Sequence, residues 1–266
     1  MAIKRRLIEK KKGGYVFMTV GIIGGTGPQG QGLAMRFAVA GVPIFIGSRE
    51  KNKSEQIVAE INKKMPTGSA IIEGGTNQEA INRSTEIIIF AVPWEAHNYL
   101  LNDLKDQIGK KTLVDIVVPL SKNDPKKVSM PPEGSATEAA QSILGEETPV
   151  VGALHNVSAT TLQNLDWKIN CDVLVCGNNL NARKQVISLI EKIGVTAATS
   201  GPGMINLMQG MACSFFDSIP TFHFSGAVVT NQLRKNKKIR QIGFQEMEVV
   251  DIVKPITKYA VLLKDK

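Results

Sequence analysis

The chain has 266 residues, a net charge of +8 and a hydrophobic fraction of 43%, which is ordinary for a soluble core in one large or two modest domains. No apolar run approaches the ~20 residues needed to span a bilayer, so no membrane partner is expected. The basicity is two local runs, Lys4 to Lys12 and Arg234 to Arg240; the remainder is slightly acidic and poor in aromatic residues, so no nucleic-acid partner is expected either.

Residues 1–17 lack the apolar stretch of a secretory signal. They read as a basic, disordered arm, or as sequence ahead of a true start at Met18. A cytoplasmic location follows from the same reading. Next, Val20-Gly-Ile-Ile forms a β-branched strand that runs straight into Gly25-x-Gly27-x-x-Gly30. A helical pattern with Leu33 and Phe37 follows at once. Strand, glycine turn and helix together separate a dinucleotide-binding turn from a chance match. Gly25 permits the tight turn, Gly27 lets the backbone approach a pyrophosphate, and Gly30 lets the helix pack close on the strand. The helix N-terminus then offers free N–H groups to the phosphates.

A second strand, 44–46, ends where the fingerprint places its ribose reader, about 20 residues on. An acidic residue there would bind the 2′-hydroxyl of NAD. The chain instead has Gly47-Ser48-Arg49, with Lys51 and Lys53 close behind. A hydroxyl with cations suits the 2′-phosphate of NADP.

Residues 51–64 read as a helix with a charged face, 70–73 as a third strand and 77–82 as a short helix. The nearly continuous apolar run 85–92 is typical of the interior of a parallel sheet. Pro93-Trp94 ends it. A helix over 94–104 and a buried strand over 113–118 follow. The stretch 119–134, rich in Pro, Lys and Ser, reads as a loop. Beyond it come a helix at 137–144, a strand at 150–154, a short helix to Leu165, a strand at 173–176, a helix at 182–192 and a strand at 195–198. Strands alternating with helices imply an α/β, Rossmann-like, doubly wound and mostly parallel sheet.

Open α/β sheets bind ligands past the carboxyl ends of their strands. Strand ends alone therefore nominate Thr26 to Gly30, Ser48 and Arg49, Pro93 and Trp94, Pro119 to Ser121, and His155 to Ala159. Trp94 is either a ring-stacking wall or a core aromatic. His155 is either a hydrogen-bonding group at a ligand or a satisfied histidine at a strand end. Cys171, Cys176 and Cys213 have no metal-ligand spacing and read as buried reduced thiols.

These stretches resemble the NADPH-dependent reductases of the 8-hydroxy-5-deazaflavin coenzyme F420. The resemblance rests on the Gly-Gly-Thr-Gly turn, Gly-Ser-Arg at 47–49, Val-Pro-Trp-Glu at 92–95, Val-Pro-Leu-Ser at 118–121, Ala-Leu-His at 153–155, Asn-Leu-Asp at 164–166 and Asp-Val-Leu-Val-Cys-Gly at 172–177. It covers about residues 18–194 and implies hydride transfer between NADP(H) and coenzyme F420 as second substrate. It further implies that Thr26, Gly27, Pro28 and Gln29 hold the pyrophosphate, and that Ser48, Arg49 and Lys53 hold the 2′-phosphate. Trp94, Asn98, Leu120 and Ala159 would line the nicotinamide end, with His155 beside the deazaflavin as the catalytic candidate. Pro28, Gln29, Asn98 and Ser158 depart from the residues usual in that family.

From about Gly194 the sequence resembles a different family. Thr-Ser-Gly-Pro-Gly-Met-Ile-Asn at 199–206, Asp-Ser-Ile-Pro at 217–220 and Asp-Ile-Val-Lys-Pro-Ile-Thr-Lys at 251–258 resemble the pyrimidine-binding domain of thiamine-diphosphate enzymes of the acetolactate synthase type. The match begins partway through that domain. Thiamine diphosphate is therefore not expected as a cofactor. The organisation expected is a basic arm at 1–17, an NADP-binding reductase domain at 18–194 and an α/β segment of different origin at 195–266. A homodimer is expected if the C-terminal segment permits it. Two other readings stand beside the reductase: a fragment or subunit of a thiamine-diphosphate enzyme, and an NADP-binding module without turnover.

Overall fold

The computed structural model describes residues 8–11, 14–122, 124–169, 171–194, 196–198, 249–257 and 260. Ile8–Lys11 (β1) pairs antiparallel with Gly14–Phe17 (β2), so part of the expected basic arm forms a hairpin. The chain then runs through Val20–Ile23 (β3), Pro28–Val39 (α1), Ile44–Ser48 (β4), Lys51–Lys64 (α2), Ile72–Thr76 (β5) and Asn77–Arg83 (α3). Ile87–Phe90 (β6), Trp94–Ile108 (α4), Thr112–Asp115 (β7), Leu120–Ser121 (β8), Asp124–Val128 (β9) and Ala136–Leu144 (α5) follow. Val150–Gly152 (β10), Ala159–Gln163 (α6), Asp172–Leu174 (β11), Leu180–Ile190 (α7) and Thr196–Ala198 (β12) come next, and Val249–Val253 forms a further short helix. The residues between 199 and 248, Cys213 among them, lie outside the described residues, as does most of the thiamine-enzyme-like sequence.

Six strands form one parallel sheet in the order β10-β7-β6-β3-β4-β5. The apolar runs of β3 and β6 are buried along their whole length, which strands covered on both faces require. Val20, Ile22, Ile87 and Ile89 pack on one face with Leu33 and Phe37 of α1, Leu162 of α6 and Val186 of α7. Ile23, Ile88 and Phe90 pack on the other with Leu101 and Leu104 of α4 and Ala140 of α5. Strand order reverses between β3 and β6. The crevice at their carboxyl ends is where such sheets take ligands.

The sheet continues beyond β10 through a single antiparallel bridge. Gly152 N–H donates to Cys176 O at 2.8 Å, and Cys176 N–H donates to Gly152 O at 2.9 Å. β12 then pairs parallel with β11, Asp172 opposite Thr196. The stretch 119–134 is not all loop, because β8 and β9 form a small irregular hairpin. Cys176 is exposed and Cys171 half-buried, so the two described thiols are not the buried pair expected.

Helix α1 is pressed between two neighbours at backbone distance. A Cβ on Gly30 would stand 2.5 Å from Gly25 Cα and 2.6 Å from Gly25 O. A Cβ on Gly32 would stand 2.5 Å from Leu162 Cβ on α6. Arg36, one turn on, donates from Nε to Leu162 O at 3.0 Å and from Nη2 to Thr161 O at 2.7 Å and to Asn164 O. These are the orphan carbonyls at the end of α6, and a cation satisfies them well.

Gly30→Ala should therefore be costly, since the atoms in the way are backbone and cannot rotate aside. A loss of at least about 1–3 kcal/mol, the usual range for overpacking, is expected from the urea midpoint at unchanged m-value.

Candidate functional site

The glycine turn is tied down from two sides. Gly24 N–H donates to Asn77 Oδ1 at 3.1 Å, and Gly25 N–H donates to Gly47 O at 3.0 Å. Asn77 is buried at the start of α3, whose first turn is fixed by a reciprocal Thr76–Glu79 capping box. Helix α1 opens at Pro28 with Gly27 as its N-cap and no side-chain cap. Pro28 has no N–H, so Gln29 and Gly30 carry the first-turn donors that no intrahelical carbonyl reaches. A Cβ on Gly27 would meet nothing within 4 Å. The fold itself does not need glycine there. The turn instead leaves open backbone beside a positive helix end, the form of an anion cradle.

At the end of β4, Ser48 is buried and its Oγ accepts from Glu50 N–H at 3.2 Å. Arg49 and Lys53 stand exposed beyond it. Lys51 does not join them, because its Nζ donates to Glu79 Oε1 at 2.7 Å. That contact raises the Lys51 ammonium and lowers the Glu79 carboxyl relative to their ordinary values. Of the cations nominated there, Lys51 is committed to holding α2 against α3.

Across the crevice, Pro93 is the N-cap of α4, followed by half-buried Trp94 and exposed Asn98. The Trp94 ring lies 5.0 Å from the ring of His97, and His97 Nδ1 lies 2.6 Å from Asn98 Oδ1. Leu120 is exposed on β8. After β10, Leu154 takes a left-handed conformation, φ 63°, while its side chain stays buried. That geometry costs a leucine about 1–2 kcal/mol and aims the next residue, His155, out of the sheet. His155 keeps exposed surface. Burial of the rest pushes its pKa below the ordinary histidine value, and the Asp115 carboxylate opposes that shift.

The loop at 153–158 is brought onto the glycine turn. Gln29 Nε2 donates to Val157 O at 3.0 Å, and Gln163 Nε2 donates to Pro28 O at 3.0 Å. Gln31 Nε2 donates to Thr26 O at 2.7 Å, bracing the turn from within. Ala159 begins α6 beside it, and Ser158, its N-cap, makes no side-chain cap bond. The structure thus joins the turn, Gln29 and the 155–159 loop directly. Asn77, His97 and Asp115 escaped the sequence reading. Two signals were available: the Thr76-x-x-Glu79 capping box, and a lone acid, Asp115, inside an apolar strand. Among the described residues, no group of His, Cys, Asp and Glu could hold a metal ion, and no helix is long and apolar enough to cross a membrane.

A family model described as NADP oxidoreductase, coenzyme F420-dependent, matches residues 19–119. The F420-dependent NADP reductase of Methanocaldococcus jannaschii is 39% identical over 191 residues, 69% of this chain and 84% of that protein. A crystal structure of an F420-dependent NADP reductase assigned in Arthrobacter sp. FB24 superposes with a TM-score of 0.57 at 19% identity, covering 78% of this chain and 97% of that one. That likeness speaks to the fold. A separate similarity, 41% over 68 residues, is to the acetolactate synthase large subunit of Lactococcus lactis; it covers 26% of this chain and 11% of the synthase.

Burial of His155 sets the sign of a pH effect. The folded chain binds that proton less tightly than the unfolded chain. Nothing is lost above about pH 6.5, the ordinary value, and stability falls as pH drops from there toward the lower folded-state pKa. His155→Gln should therefore lose less stability than the parent chain between about pH 8 and about pH 5.5, read from denaturant midpoints.

Proposed function

Because the chain belongs to the family of coenzyme F420-dependent NADP oxidoreductases, we propose that it transfers a hydride between NADP(H) and the deazaflavin coenzyme F420. It is an NADP-dependent oxidoreductase built on a Rossmann-like sheet. The observation that carries the reading is the open cradle at Gly27, facing the uncapped start of α1.

The two cofactors supply the hydride chemistry when bound. The chain's residues bind, orient and exclude water. In this reading Gly25, Thr26, Gly27, Pro28, Gln29 and Gly30 present the pyrophosphate cradle. Ser48, Arg49 and Lys53 take the 2′-phosphate, with Arg49 offering a fork of N–H donors that a phosphate can accept in pairs. Pro93, Trp94, Asn98, Leu120 and Ala159 line the nicotinamide end. His155 faces the deazaflavin; held below its ordinary pKa, it is a neutral hydrogen-bonding group near pH 7.

Residues 18–194 are the reductase domain in this proposal, and 195–266 a tail of different origin. The protein is proposed as a cytoplasmic homodimer acting on small-molecule cofactors, without a nucleic-acid partner, since its net positive charge comes from two short runs of the sequence. Thiamine-diphosphate chemistry is not assigned to the tail, because the match spans only 11% of the synthase. That same similarity favours one second reading. If the tail stands where the matched reductase continues beyond the shared 191 residues and leaves the deazaflavin side incomplete, the chain binds NADP without turning over.

Mixing protein, NADPH and oxidised coenzyme F420 separates the two readings. Loss of the deazaflavin's visible absorbance is expected, and tight NADPH binding with no absorbance change would favour the non-turnover reading. Arg49→Ala should weaken NADPH by about 10–100-fold in calorimetry and leave NADH nearly unchanged, the size of one or two charge-assisted hydrogen bonds. Gly27→Ala should leave thermal stability within about 1 kcal/mol, a helix-cap effect. The same variant should weaken both nucleotides, because its methyl occupies the cradle.

A further inference from the structure

Asp115 is the last residue of β7 and has no exposed surface. Its Oδ1 accepts from Val117 N–H at 3.1 Å, and its Oδ2 accepts from Thr137 Oγ1 at 3.2 Å. His97 Nε2 lies 3.5 Å from the same Oδ2, and His97 is wholly buried as well. That nitrogen has no hydrogen-bond partner, so the carboxylate is the group it faces. On the other side of the ring, Nδ1 donates to Asn98 Oδ1, an acceptor-only atom. A carboxylate this deep is tolerated only when polar groups surround it; Val117 N–H and Thr137 Oγ1 donate to it, and His97 Nε2 faces it.

The pair lies against two aromatic rings, one in the core and one at the crevice. The His97 ring touches Phe90 edge-on at 5.4 Å between centroids and meets Trp94 at 5.0 Å with a 41° tilt. On the neighbouring strand Gly152 is Asp115's partner in register. A Cβ at Gly152 would stand 2.7 Å from Thr137 Oγ1 and 3.3 Å from His155 Cε1. The absence of that side chain leaves a small space bordered by the Thr137 hydroxyl, which bonds Asp115, and by the His155 ring.

We infer that Asp115 and His97 are a buried positioning pair for the hydride-transfer site, holding Trp94 and Asn98 through the imidazole and facing His155 across Gly152. The inference rests on the proposal that Trp94, Asn98 and His155 line that site. From α4 the carboxylate meets His97 and from α5 the neutral Thr137 hydroxyl; His155, on the loop after β10, lies within its electrostatic reach, and the Cys176 thiol belongs to the segment bridged to Gly152. The negative charge keeps His155 more basic than burial alone would leave it. Trp94 in turn packs on a ring that cannot rotate without breaking contacts to both Asn98 and Asp115.

Two variants of the full chain test the pair. Asp115→Asn keeps the shape and removes the charge. It should lower the His155 pKa by at least about half a unit in an NMR titration, with His155→Gln identifying the signal. It should also lower kcat at least about tenfold while the NADPH Kd from calorimetry changes less than about threefold. His97→Gln keeps a donor toward Asp115 but loses the ring. It should leave the His155 titration in place, shift Trp94 emission in a Trp167→Phe background, and lower kcat without moving KM for NADPH. A folded Asp115→Asn chain with an unmoved His155 titration, or a His97→Gln chain with unmoved Trp94 emission and kcat, would overturn the inference. If Asp115→Asn does not fold, His97→Gln decides alone. If the parent chain transfers no hydride, the functional proposal fails separately, and the titration and emission readouts still decide the pair.

Discussion

The start of α1 lies against two neighbours and contributes no side chain to either contact. Gly30 rests on the Gly25 backbone and Gly32 on Leu162 of α6. Side chains at either position would push the helix off the sheet or push α6 off the helix. With both contacts made, α1 can neither slide nor roll, and its uncapped N-terminus points along the crevice. Arg36 then satisfies the end of α6, and α6 carries the 153–158 loop back over the turn. The rest of the candidate site is a consequence of that clamp. Even the strained Leu154 belongs to it, because the chain must leave β10 sharply to reach α6.

The crevice divides its electrostatics into a wet end and a dry end. Arg49 and Lys53 stand in solvent, where charges attract an anion over distance at little folding cost and are screened by salt. Asp115 and His97 are sealed from water, where each polar contact is stronger and each missing one more expensive. Lys51 shows how fine the division is. Two residues from Arg49, it spends its charge on Glu79, which also caps α3 and so steadies Asn77 and the glycine turn.

The tail raises a question of fold compatibility rather than of chemistry. A three-residue strand, Thr196–Ala198, pairs with β11 in parallel register. Small and β-branched residues at such a position suit almost any α/β sheet, so this strand asks little of the element it pairs with. The family relationship, by contrast, rests on long ordered similarity to an F420-dependent NADP reductase, with most of that protein's length matched.

What the sequence determined by itself was whatever local chemistry decides. The strand-turn-helix at 20–37, the alternation of strands with helices and the non-acidic end of β4 were legible because each depends on neighbours in the chain. Element ends were less so. The third strand begins at Ile72 rather than 70, and the 119–134 stretch hides a hairpin, because pairing partners set those limits. Tertiary structure alone decided that Lys51 belongs to Glu79, that Gln29 reaches Val157, and that Asp115, His97 and His155 gather under one wall. Those contacts join residues from different elements of the chain, and their geometry is fixed by how the helices are seated on the sheet. No spacing in the sequence records it.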